Sequence, residues 1–212
     1  MGSYYYLVAQ LPSLAYGQTP PMRPEAYKAL VKPLLNAEDS ALLDMVGLDP
    51  HPLPEGTLLV TGPAYAENAP ACGSDFIDGW REWERTLRLN VARNRAIKIK
   101  REGTPTAEPP VVPADAATAA TRALAEESPL EAEIMLDKAR WNAIDSLIGV
   151  TYFDRNVIFA YLLKLLILQR RASFQTETGF SEYKSLYAAI LDAAQSGTSR
   201  AGESKCLEQK ER

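Results

Sequence analysis

The chain has a single histidine and only two cysteines in 212 residues, and each scarcity removes a class of chemistry. His51 sits between prolines in DPHPLP, with no serine, cysteine or acid at a familiar catalytic spacing, so it reads as a loop residue and not as a general base. Cys72 and Cys206 form neither a disulfide framework nor, with one histidine, the clustered spacing of a metal site. That usage suits a reducing cytoplasm. No glycine-rich segment ends in Gly-Lys-Ser or Gly-Lys-Thr, so a phosphate-cradling loop is excluded. No catalytic, cofactor-binding or metal-ligating residues are therefore assigned, and no small-molecule substrate is expected. Long apolar runs are missing too. The nearest approach, Val157 to Leu168, is broken by Lys164 and flanked by Asp154, Arg155, Arg170 and Arg171; it falls short of the roughly 20 apolar residues that span a bilayer. The first residues lack a basic stretch leading into a long apolar core, so a secretory leader is not expected.

What is present is an ordinary globular composition, 46% hydrophobic, with a net charge of −4. That is enough apolar material for a core, and the acidic balance argues against broad affinity for nucleic acid or anionic membranes. Basic residues do concentrate locally. Arg81, Arg85, Arg88, Arg93, Arg95, Lys98, Lys100 and Arg101 fall on one helical stretch against Glu82 and Glu84. A solvated helix face accounts for them, as does a docking face for an acidic partner or nucleic acid, for which Arg85, Arg88 and Arg95 are the candidate residues.

Helical periodicity dominates. Glu25 to Leu35 and Glu38 to Leu48 read as two short helices, and a long one starts near Ser74 or Asp75 with Phe76, Trp80, Trp83, Leu87 and Val91 inward. By propensity Tyr4 to Ala9 fits a strand, although the family resemblance given below favours a helix, and Thr57 to Thr61 fits a short strand or extended segment. Residues 103–117, rich in proline and alanine, read as a linker or a loop between an N-terminal half, 1–102, and a C-terminal half, 118–195. Residues 196–212 have nothing to bury and are expected to be a disordered tail. A last amphipathic helix over Ser181 to Ala194 aligns Tyr183, Leu186, Tyr187 and Ile190. The fold expected is mostly α, an antiparallel helical bundle with at most one or two short strands.

The most informative stretch is Ser128 to Phe174. Ser128 can cap a helix, Pro129 fits its first position and Glu131 completes a capping box. Leu130, Ile134, Trp141, Ile144 and Ile148 form its inward stripe, and Gly149 is a natural stop. Asp154 can cap the next helix, which is apolar nearly all round and should be buried on all sides, with Trp141, Phe153, Tyr161, Leu162 and Leu165 in one core. Asp137 lies beside the stripe and needs a cation, for which Arg140 and Lys164 are the candidates.

The residues Glu133, Leu136, Asp137, Lys138 and Trp141, followed by Phe153, Asp154, Asn156, Tyr161 and Leu165, resemble the module repeated in the funnel-shaped socket protein of archaeal and bacterial V-type ATPases, which seats the central stalk on the membrane ring. That module carries an acid and a Leu-Asp-basic triplet on one helix and an Asp-x-Asn start on the next. The opening SYYYLVAQLPSL and the helix WREWERTLRLNVARNRA resemble a closer group: short bacterial proteins of unassigned function, similar to the socket protein and typically encoded among V-type ATPase genes. The likeness covers most of residues 3–190. It implies a non-catalytic subunit or accessory protein, cytoplasmic and peripheral on the inner membrane through the complex, whose partners are the central stalk and the membrane ring. Asp154 and Asn156, at the loop end, are then further candidates for partner binding. The socket protein holds three such modules; this chain is too short for three. The alternative is a small helical binding module for nucleic acid or an acidic protein, acting through Arg81 to Arg101.

Overall fold

The computed structural model describes residues 4–49, 72–98, 113–150, 152–174 and 180–191. His51, Thr57 to Thr61, Lys100, Arg101, most of the linker and residues 196–212 lie outside that set. The described residues are mostly α-helical and include no strand. The helices are α1 (Tyr5–Gln10), α2 (Pro24–Val31), α3 (Ala37–Asp44), α4 (Asp75–Lys98), α5 (Ala114–Ala125), α6 (Pro129–Ile148), α7 (Arg155–Ala172) and α8 (180–191). None is long and apolar enough to cross a membrane.

Local chemistry explains the boundaries. Asn36 caps α3 by accepting from the Asp39 amide. Ser128 does the same for α6 with the Glu131 amide, ahead of Pro129. At the other end of α6, Gly149 takes φ +66°, where a side chain would be strained. The Asp154 carboxylate accepts from the Arg155 amide at the start of α7. Tyr4 to Ala9, a strand by propensity and a helix by the resemblance, is helical: Tyr4 is the N-cap of α1 and Tyr5 to Ala9 lie on it. Its entry is fixed by the Tyr4 amide, which donates to the Phe153 carbonyl.

The described residues up to Arg171 form one compact unit and those from Ala172 onward another. The stretches before and after 103–117 thus share a core, and the division falls at the end of α7. That helix is the axis of the first unit, with Ile158 to Leu163, Leu165, Ile167 and Leu168 all buried. Phe76 of α4 approaches Phe159, Tyr27 of α2 stacks on Tyr161, and the Tyr161 hydroxyl donates to the Pro12 carbonyl of the segment after α1. Trp141 is buried on α6, but Phe153, expected in the same core, is 43% exposed. It lies in the turn between α6 and α7, where helical periodicity says nothing about burial. On α6 the inward face is Leu136, Asp137, Arg140, Trp141, Ala143 and Ile144, displaced from the apolar stripe so that Leu130 is exposed.

Cross-pairs give the helix directions. Glu84 meets Arg140 and Arg95 meets Glu133, so α4 and α6 run antiparallel; Asp145 with Lys164 and Asp137 with Arg170 make α6 and α7 antiparallel as well. The pair α4 and α5 departs from the antiparallel expectation. Trp83 bonds Asp115 and Lys98 bonds the Leu124 carbonyl, which makes those two helices parallel. Alanine makes their close approach possible: α5 buries Ala116, Ala119, Ala120 and Ala123, which leave little side chain between the backbones.

Tyr27 is fully buried, and its hydroxyl donates to the Ile158 carbonyl. Burial first, and the adjacent Tyr161 second, push this phenol far above its ordinary value. A free tyrosine ionises near pH about 10; the folded state keeps the proton where the unfolded chain loses it. The stability that Tyr27 contributes is therefore complete below about pH 10 and falls by about 1.4 kcal/mol per pH unit above it, until the folded phenol itself ionises. Urea unfolding of Tyr27→Phe across that range should show a shallower decline than the wild type. Equal slopes would clear Tyr27 as the cause.

Candidate functional site

Asp137, Arg140 and Arg170 of the Ser128–Phe174 stretch form a largely buried knot with Glu84 of α4. Glu84 is fully buried, and Arg140 grips both its oxygens, Nε to Oε2 at 2.9 Å and Nη2 to Oε1 at 3.0 Å. The same guanidinium donates to Asp137 Oδ1 at 3.0 Å, which also accepts from Arg170 of α7. Asp137 Oδ2 is buried without a hydrogen-bond partner among the described residues. The carboxylate thus depends on its two cations. Three helices meet at one charged knot, and burial removes the solvent that would otherwise weaken it.

Lys164, the other candidate for Asp137, pairs instead with Asp145 at 2.5 Å and lies over the Trp141 ring, 4.8 Å from its centroid. The antiparallel register is the reason. Arg170 reaches Asp137, and Lys164 sits six residues before it, about 9 Å back along α7 at 1.5 Å per residue.

The basic stretch of α4 is not a free cationic face. Arg88 binds Glu84 at 2.8 Å, Asp49 at 2.7 Å and the Leu48 carbonyl. Burial pulls its pKa down, but Glu84 and then Asp49 outweigh that, and the net shift is upward. Arg85 bonds Glu82 through two nitrogens, with its side chain only 15% exposed. Arg81 reaches the Met45 carbonyl. Arg95 is open, its side chain 60% exposed and 3.6 Å from Glu133. Arg95 and Lys98 border a groove of about 260 Å³ that Glu126 and Glu127 also line, so this surface carries both signs. Trp80 and Trp83 stack in the core, and the Trp80 indole donates to the Gly47 carbonyl.

Asp154 and Asn156, both half-buried, stand where α1, α3 and α7 begin. Arg155 binds Asp39 at 3.1 Å and Glu38 at 3.4 Å, and the Tyr4 hydroxyl donates to Asp39 at 2.5 Å. The Asp39 hydrogen bond is the main cause that raises Arg155 above its usual value. Around this anchor the surface is aromatic. Tyr5 packs on Phe153 with ring centroids 4.5 Å apart, and their near neighbours in sequence, Tyr6, Val150 and Tyr152, are 78%, 85% and 70% exposed. These residues were not legible as a surface, because they come from α1 and from a turn far away in sequence. In the second unit, α8 also exposes its apolar face: Tyr183, Leu186, Tyr187 and Ile190 are open, with Tyr183 stacked on Tyr187.

Among the described residues no group of histidine, cysteine and carboxylate side chains could hold a metal ion. No curated protein and no solved structure matches the chain. A family model described as "Protein of unknown function (DUF2764)" matches residues 120–193, less than half of the chain, a stretch that contains α6, α7, Asp137, Arg140 and Arg170 but not Glu84.

Proposed function

We propose that the protein is a non-catalytic subunit or accessory protein of a bacterial V-type ATPase, acting like the socket that joins the central stalk to the membrane ring. The observation that carries this reading is the knot at Asp137. The Leu136-Asp137-Lys138 triplet, on which the resemblance rests, supplies the carboxylate that ties α6 to α7 through Arg170 and, through Arg140 and Glu84, to α4. A body that transmits torque needs helices that cannot slide past one another, and a buried, multiply bonded ion cluster resists sliding because any displacement strands a charge in low dielectric. The nucleic-acid reading loses ground at the same place, since Arg85 and Arg88 are committed to acids.

The test is affinity purification of the tagged full-length protein from mildly solubilised membranes of its own host, with the accompanying proteins identified. Proteins of the catalytic head, central stalk and membrane ring should come down together. Recovery of none of them would sink the proposal.

A further inference from the structure

Among the described residues, one surface that the internal pairs do not use is the aromatic end. Tyr5, Tyr6, Val150, Tyr152 and Phe153 are all at least 43% exposed. They are held in place from below, not left to wander: the Tyr4 amide donates to the Phe153 carbonyl, and the Tyr4 hydroxyl donates to Asp39. Tyrosine and phenylalanine offer large contact area at low entropic cost, which is why they anchor protein interfaces. The charged residues that bond with one another at this end are Glu38, Asp39, Asp154 and Arg155, three acids against one cation. Arg155 is bound to the buried Asp39 and to Glu38, so the pairing offsets one acid and leaves this end net acidic. What faces a partner is therefore apolar and aromatic in the middle with an acidic edge, on which Glu38 is 76% exposed in its side chain.

We infer that this end is a docking surface for a positively charged polypeptide segment that presents an apolar face. An acidic edge repels nucleic acid and anionic lipid headgroups and attracts lysine and arginine, so the electrostatic complement is a basic protein segment. The inference rests on the proposed role as an interaction subunit and adds to it the surface and the chemistry of what binds there.

Two fluorescently labelled peptides test it, an amphipathic leucine–lysine helix and its leucine–glutamate counterpart, titrated with the full chain and followed by anisotropy. The leucine–lysine peptide should bind and the glutamate peptide should not. The triple substitution Tyr6→Ser, Val150→Ser, Tyr152→Ser should weaken binding by about tenfold or more, as expected when aromatic anchors are removed. Glu38→Lys, at an open position, should weaken it separately, and it decides the matter if the triple variant melts early. Equal binding of the two peptides, or affinity unchanged in Glu38→Lys, would overturn the inference. So would wild-type sedimentation with phosphatidylcholine vesicles that the triple variant loses, since the occupant would then be a membrane. Charge-selective binding without ATPase proteins in the membrane purification would remove the assignment to that machine and keep the surface. Undiminished ATPase recovery with the triple variant would do the reverse.

Discussion

Arg140→Ala should lower the unfolding free energy by about 3–5 kcal/mol, the usual cost of breaking a buried ion pair by removing one partner. Its side chain is 7% exposed and bonds both Glu84 and Asp137, neither of which reaches water. Glu84 keeps Arg88 and Asp137 keeps Arg170, so each acid retains one cation and the loss should fall toward the lower figure. The direct tie between α4 and α6 at the knot is gone in either case. Replacing Glu84 and Arg140 together by methionine should recover much of that loss, because apolar residues of similar volume carry no desolvation penalty, while Arg88 still has Asp49. Urea denaturation of the single and double variants decides this. A single variant that unfolds at the wild-type midpoint would show that the knot does not join α4 to α6.

How far the fold could be read in advance depended on the range of the interaction. Ser128, Pro129 and Gly149 act within a turn of themselves, and they mark the ends of α6 where the structure has them. The burial of α7 follows from its composition alone, since a helix apolar on every side has no face to give to water. Glu84 was half legible. It stands four residues after Trp80 and three before Leu87, on the inward stripe of α4, so its spacing called for a partner. One partner, Arg88, is a turn away, but the other, Arg140, lies 56 residues on, and no local pattern announces it. The choice between Lys164 and Arg170 for Asp137 turned on the register of α6 against α7. Register is set by packing and not by either helix alone. The aromatic end was illegible for the same reason, because it exists only once α1 is pinned to the turn before α7 by the Tyr4 amide.

The sharpest division among the basic residues of α4 should appear on charge reversal. Arg88→Glu would place a carboxylate against the fully buried Glu84 and beside Asp49, in place of the guanidinium that now bonds both. Loss of the pair leaves a buried charge weakly compensated, and like charges add repulsion at low dielectric; a destabilisation of about 3–5 kcal/mol is expected. Arg95→Glu faces a different setting. Its side chain is 60% exposed and its contact with Glu133 is long, at 3.6 Å, and solvent screens such a pair, so a change within about 0.5 kcal/mol is expected. The two urea midpoints should separate accordingly, with Arg95→Glu near the wild type and Arg88→Glu well below it. Coinciding midpoints would mean that Arg88 is as free as Arg95, and α4 would again qualify as a cationic surface for nucleic acid. Separated midpoints leave only the outer rim of α4 to any acidic partner, because Arg88 and Arg81 are bound to the chain after α3 and Arg85 to Glu82 of the same helix.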